Sequence, residues 1–226
     1  YVHKHPSGKG DIITFGTGRF LTASDKQSKK FESVYGVWDR YSDKGIVSPT
    51  TLPTSVKGRS DLLRQEFTEL GINSGKFKLS SDNINWYHSG ASGSADSDVE
   101  NWGWYINLPR GGEKIIYDMV LYGRGLIFST VRSSDDPCGA GMASTIYAVN
   151  PSSGGKTDYP PFDHNNDGLF DDKDEYTDEQ VNGTDSQPGN PQIAGGKVLT
   201  SDGDSSLGVN HGMDLGRQSW RRQPKN

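Results

Sequence analysis

Short runs of aromatic and β-branched residues recur about every ten positions along this chain, separated by glycine-bearing turns, and that spacing admits little but an all-β fold. The clearest stretch covers residues 103–150. Segments 103–108, 114–122, 126–132 and 144–150 read as four sequential strands, joined by turns at 109–112 and 123–125 and a loop at 133–141. Four strands with short connections make one antiparallel meander, the layout of a propeller blade. Segments 11–21, 33–39, 62–70 and 77–86 precede it, and 192–201, 207–209 and 217–220 follow. Helical signals are weak; only 62–70 could be helical, and its alternation (Leu63, Gln65, Phe67, Glu69) suits a strand equally. The expected architecture is part of a β-propeller, about three four-stranded antiparallel blades. Closed propellers carry roughly four to eight blades, so the rest of the ring is expected from a longer chain or a second chain.

Composition sharpens this. Hydrophobic residues are only 31% of the 226, yet five Trp, ten Tyr and eight Phe supply the large apolar bodies that a disordered chain lacks, and 29 Gly suit tight turns. The net charge of −5 comes without a positive stripe to track phosphates, which argues against a nucleic-acid partner. Cys138 is the single cysteine, so no disulfide forms within the chain; a partner outside it and an inert thiol both stay open. No apolar run is long enough to span a bilayer and the first residue is Tyr1, from which a mature form, a trimmed product or a fragment is expected.

Two loops stand out. Residues 89–101 are rich in Ser, Gly and Asp and read as an exposed tip. Residues 151–191 form a long insertion with little strand signal, and so long a loop in a compact domain needs a ligand or an interface. Within it, 163–174 places oxygen side chains at loop positions 1 (Asp163), 3 (Asn165), 5 (Asp167), 9 (Asp171) and 12 (Asp174), with Gly168 at position 6 and Leu169 offering a backbone carbonyl at position 7. Ca²⁺ takes about six to eight oxygens in tolerant geometry, and alternate residues of a tight loop can turn oxygens toward one point. Gly168 suits the positive φ of the reversal, and the Leu169 side chain is expected to pack on the domain. The bland alternative is a solvated acidic loop held by Asx turns. A helix–loop–helix EF-hand is excluded by Pro160 and Pro161, where an entering helix would lie. Asp174 is one methylene shorter than the Glu usual at position 12, so it ranks below Asp163, Asn165, Asp167 and Asp171 as a ligand. His164 at position 2 points away, Zn²⁺ lacks a Cys or ordered His set, and Mg²⁺ demands a tighter octahedron.

Five segments taken together resemble the C-terminal β-propeller of the PilY family, called PilC in some bacteria: 15–21, 34–39, 103–109, Asp136-Pro137-Cys138-Gly139 leading into 144–150, and 216–221. The resemblance covers almost the whole chain. It implies a non-enzymatic protein at the tip of type IV pili, outside the cell or on its surface, with roles in pilus assembly, attachment and twitching motility. It implies minor pilins as partners, and a surface or host receptor. It also implies Ca²⁺ in an Asp-x-Asn-x-Asp-Gly-x-x-Asp loop, which falls on Asp163, Asn165, Asp167 and Asp171, with Leu169 as carbonyl donor, and calcium occupancy linked to the balance of pilus extension and retraction. The family's long N-terminal adhesive region has no counterpart here, so the adhesion target does not carry over.

Other features point less sharply. Trp102-Gly103-Trp104 could stack sugars or bases, though such aromatics more often pack blades. His3, His5, His88, His164 and His211 are scattered, and Ser129 and Ser144 lack a nucleophile elbow. Lys9-Gly10-Asp11 matches an integrin-type tripeptide by chance frequency, and Asn182-Gly183-Thr184 is a glycosylation sequon with meaning only in a glycosylating host. The alternative function is a calcium-dependent quinoprotein-like propeller oxidoreductase, against which stand the missing adjacent cysteines and acid–base pair. A dockerin-like module would need a second calcium loop.

Overall fold

The computed structural model describes residues 1–8, 10–39, 58–86, 101–134, 141–199 and 206–212. The expected tip loop 89–101 except Asn101, Cys138 with its Asp-Pro-Cys-Gly motif, His88, Lys9 and the closing segment 216–221 lie outside these residues. Among the described residues the strands are β1 (Val2–Lys4), β2 (Asp11–Gly16), β3 (Ser33–Asp39), β4 (Leu63–Glu69), β5 (Lys76–Leu79), β6 (Gly103–Asn107), β7 (Val120–Tyr122), β8 (Gly125–Ser129), β9 (Arg132–Ser133), β10 (Met142–Val149), β11 (Phe162–Asp163), β12 (Gly183–Ser186), β13 (Gln192–Ala194), β14 (Lys197–Leu199) and β15 (Ser206–Val209). The one α-helix among the described residues, α1 (Ala23–Gln27), is a single capped turn.

The fold is all-β, as the spacing indicated. One sheet runs β1-β2-β3-β6-β4-β5-β12-β10-β8-β7, with β9 beside β10, and a second runs β11-β15-β14-β13. Every named pair is antiparallel except β4 with β6, which run parallel with Leu63 opposite Trp104. Segment 62–70 is therefore a strand, and its alternation resolves as Gln65 and Phe67 inward against exposed Arg64 and Glu66.

The expected meander departs from this in one place. β6 turns away from its successors and pairs with β3, Ser33 opposite Asn107. Segment 114–122 is strand only over β7, with a lone bridge from Lys114 to Val131. The cause is visible at Lys114, which is buried and donates Nζ to the carbonyls of Gly112 and Ser28. That wraps the chain around the preceding turn rather than extending it. The meander that forms is β7-β8-β10-β12, and its last strand comes from the long 151–191 excursion.

The main core gathers Val34, Phe67, Phe77, Trp104, Ile106, Leu126, Phe128 and Tyr147 between the two halves of the large sheet. Trp104 is fully buried and donates Nε1 to the Pro151 carbonyl at 3.1 Å. A Cβ on Gly36 would lie 2.3 Å from its ring and one on Gly154 2.4 Å, so glycine on both sides is what admits the indole. Trp104 of the Trp102-Gly103-Trp104 run thus packs the fold. A second cluster, Ile127, Ile146, Ala148, Phe162, Val198 and Val209, seats the small sheet against the other face of β8 and β10. Asn182 of the sequon is fully buried, its Nδ2 donating to the Ala148 carbonyl, which leaves no room for a glycan. Ser129 is buried and donates to the Gly189 carbonyl, a structural contact.

Candidate metal centre

The excursion leaves β10, makes the acidic loop, and returns through β12. Its base is tied by Gln180, whose Nε2 donates to the carbonyls of Thr157 and Tyr159, both at 3.0 Å. Its far side is held to β5 by the Lys78–Glu179 ion pair at 2.7 Å. The acidic loop hangs from β11, where Phe162 pairs with Val209 and Asp163 with Gly208 of β15. Phe162 is fully buried and anchors the entry; Asn210 N–H donates to the Pro161 carbonyl and fixes the two prolines beside it.

From that anchor the six predicted residues fall into place as follows. Asp163 is 5% exposed, and its Oδ2 accepts the Gly168 N–H at 3.0 Å across the loop. Its Oδ1 is buried with no hydrogen-bond partner. Asn165 Oδ1 accepts the Asp167 N–H at 2.9 Å, and Asp167 Oδ1 accepts the Leu169 N–H at 2.8 Å, two successive Asx turns. Asp171 caps the one-turn 3-10 helix Asp172–Asp174 by accepting the Lys173 N–H at 3.0 Å. Gly168 takes φ +81°, the reversal foreseen for it, and Asn166 takes φ 59° beside it.

Asp174 differs most from expectation. It is 2% exposed and closes the loop: Oδ1 accepts the His164 N–H at 2.7 Å and Oδ2 the Asp171 N–H at 3.2 Å. The shorter side chain that demoted it as a ligand places its carboxylate where both ends of the loop can donate to it. Leu169 differs too. Its side chain is 57% exposed and does not pack on the domain, because Phe162 already supplies the apolar anchor. The His164 ring is half-buried and edge-on to Phe162 at 6.0 Å, with its Nε2 out of solvent. Burial, helped by nearby Lys76, pushes its pKa down to about 4, so the imidazole is neutral at physiological pH.

The fit to a cation is therefore one of frame rather than of ready cage. Among the described residues no three His, Cys, Asp or Glu side chains gather closely enough to hold a metal ion. Asn165, Asp167 and Asp171 instead bond backbone amides of their own turns. These bonds do not compete outright with a metal, since an ionised carboxylate accepts at about four lone-pair sites and the Asn165 amide oxygen at about two. Among the described residues Asp163 Oδ1 is the one buried carboxylate oxygen without a hydrogen-bond partner, and a buried anion oxygen without one is costly. A hard oxygen-loving ion beside it, drawing in Asn165, Asp167 and Asp171, would remove that cost.

Two contributors escaped the sequence reading. Gly208 faces Asp163 across β11 and β15, and a Cβ there would lie 2.7 Å from the Cβ of Asp163. Asn210 carries the proline corner that aims β11, its Nδ2 donating to the Pro160 carbonyl at 3.3 Å. Neither belongs to the loop, and only strand pairing brings them to it.

No protein-family model matches the chain. Curated relatives do. The type IV pilus biogenesis factor PilY1 of Pseudomonas aeruginosa strain UCBPP-PA14 is 31% identical over 236 residues, covering 96% of this chain and 20% of that protein. PilY1 of strain PAO1 is 29% identical over 248 residues, again 96% of this chain. A PilY1 homologue of Xylella fastidiosa strain Temecula1 is 27% identical over 220 residues, 92% of this chain and 16% of that protein. This chain thus spans about a fifth of the Pseudomonas relatives' length. Among solved structures, the crystal structure of the Pseudomonas aeruginosa PilY1 C-terminal domain superposes with a TM-score of 0.74 at 24% identity, over 94% of this chain and 44% of that one.

Proposed function

We propose, from the premise that this chain is a domain of the PilY1 C-terminal type, that it serves type IV pilus biogenesis as a calcium-binding, non-enzymatic scaffold. The relatives are named as pilus biogenesis factors. In this reading the domain stands on the cell surface, at the pilus tip, with minor pilins as its neighbours. The observation that carries the calcium reading is the loop itself. Asp163 and Asp174 are both buried, Asp174 ties the two ends together, and Asp163 Oδ1 faces inward unpartnered.

Chemically, the bound ion would supply positive charge and coordination, not catalysis. Asp163, Asn165, Asp167 and Asp171 would hold it by side-chain oxygens and Leu169 by its carbonyl, while Asp174 sets the loop's closure. Drawing the Asp163, Asp167 and Asp171 carboxylates onto one cation would offset the repulsion of bringing them together and stiffen the loop between β11 and Gln180. The stiffened excursion presents one fixed edge for minor pilins, and calcium occupancy thereby sets the balance of pilus extension and retraction.

The test replaces Asp163 and Asp167 by Ala in the full-length protein of a piliated bacterium. Twitching zones and surface pilin are then measured with and without a calcium chelator. Loss of calcium-responsive twitching with normal protein export supports the reading; twitching that tracks calcium as in the parent overturns the regulatory role.

A further inference from the structure

Where β4 and β6 part, the large sheet keeps an open edge. The two strands pair in parallel only as far as Glu66 opposite Asn107. On its other side β4 runs on against β5, with Phe67 opposite Leu79 and Glu69 opposite Phe77. Ladder alternation fixes where each backbone group points. Ser80 N–H donates to the Glu66 carbonyl and Leu70 N–H to the Lys76 carbonyl, so Glu66, Thr68 and Leu70 make the hydrogen-bonded pairs with β5. Phe67 and Glu69 therefore turn their N–H and C=O groups the other way, toward the side that β6 has left. Had β6 kept its register, Pro109 would lie opposite Thr68, and proline has no N–H to give the Phe67 carbonyl. Leu108 N–H is turned to the Glu32 carbonyl instead, at 2.9 Å. Among the described residues no strand pairs with Phe67–Glu69 on this side.

The gap opens into a cavity of about 550 Å³. Phe67, Phe77 and Leu108, all buried, make one end of its lining apolar, and Phe31, 65% exposed, also lines it. At the other end Arg110 Nη2 donates to Glu69 Oε1 at 3.1 Å, and its guanidinium lies 4.7 Å over Phe77. Arg110 is also paired with Asp185, so its charge is already matched and a small anion finds no vacant cation here. What the gap offers is main-chain chemistry. A carbonyl and an N–H two residues apart on one strand edge are what an added strand engages, and neighbouring pockets read its alternate side chains.

We propose that the β4 edge at Phe67–Glu69 takes up an extended segment of a protein partner as a short parallel strand. One residue of that segment lies opposite Thr68, giving its N–H to the Phe67 carbonyl and accepting the Glu69 N–H. The residue before it lies opposite Phe67 and sets an apolar side chain against Phe67, Phe77 and Leu108. A flat partner surface would leave these backbone groups unmet, because they lie in the plane of the sheet. The edge and the calcium loop are independent of one another.

The experiment follows the nitrogen-15 labelled chain by NMR, in EDTA, as the capped peptide acetyl-Thr-Leu-Thr-Thr-amide is added. Two altered peptides accompany it, one N-methylated at the residue after leucine and one with serine in place of leucine. The parent peptide is expected to shift the amide resonances of Phe67, Thr68 and Glu69. Glu69 amide hydrogen exchange is expected to be fast in the free chain and to slow about tenfold with peptide at ten times its dissociation constant. N-methylation removes the N–H that meets Phe67, and the serine peptide removes the apolar contact; each is expected to weaken binding about tenfold. No shift at these amides with millimolar peptide overturns the proposal, and so does equal affinity for either altered peptide. A Glu69 amide that already exchanges slowly in the free chain overturns it too, since a segment of the chain itself would then fill the gap.

Discussion

Asp163 and Asp174 are the same side chain in two environments, and the difference is instructive. Both are buried, but Asp174 spends its oxygens on backbone amides while Asp163 keeps Oδ1 unpartnered. The one-in-two spacing of oxygens was legible because it is local; the loop-closing role of Asp174 was not, because it depends on the 3-10 turn that raises Asp171 toward it. Gly208 was illegible for a stronger reason, being a partner across strands. Gly208→Ala sets a methyl 2.7 Å from the Asp163 Cβ. It is expected to cost about 1–3 kcal/mol, read as a lower urea midpoint, and to weaken calcium binding by displacing Asp163. A second residue-scale expectation concerns Glu113, fully buried and accepting from Thr145 at 3.0 Å and Tyr147 at 3.1 Å. Burial raises its pKa from the ordinary carboxylate value, against the opposing hydrogen bonds and Arg110. The folded state then holds the proton to higher pH than the unfolded chain, so its contribution is full below the ordinary value and is lost as pH rises through the raised one. Urea midpoints taken upward from pH 4.5 should fall more steeply for the parent than for Glu113→Gln; equal slopes would contradict the assignment.

At the scale of elements, β2, β3, β4 and β6 were readable from the alternation that a half-buried strand carries, and β8 and β10 as short apolar runs buried over nearly their whole length. β12 carried no such signal. Gly-Thr-Asp-Ser is polar throughout, yet it fills the middle of the large sheet between β5 and β10. Its place comes from neighbours: Gly183 lies under Tyr147, where a Cβ would be 2.5 Å from the ring. Asp185 meets Arg110, which also reaches Glu69 at 3.1 Å and lies 4.7 Å over Phe77. Long-range pairings of this kind leave no local pattern. Asn182 at the head of β12 is the joint between excursion and sheet, its Nδ2 bonding both Ala148 O and Thr157 Oγ1. Asn182→Ala leaves those buried acceptors short and is expected to cost about 1–3 kcal/mol. Limited proteolysis should then cut the 151–191 excursion faster than in the parent; equal rates would show that the joint does not hold it.

For the molecule as a whole, the all-β, propeller-like plan followed from strand spacing, while the route of the chain did not. The parallel β4–β6 pair and the departure of β6 from its meander are decisions of packing around Trp104 and Lys114. The proposed link between this scaffold and pilus work is a calcium-dependent stiffening of one excursion. Calcium at a hundred times its dissociation constant should stabilise the fold by about 2.7 kcal/mol if it binds only the folded state, visible as a raised melting temperature that a chelator reverses. The central claim is tested most directly by titrating Ca²⁺ into the purified chain in a calorimeter, alongside Asp163→Ala. One ion bound per chain, with no heat of binding in the variant, is the predicted result; no binding to the parent, or equal binding to both, would contradict it.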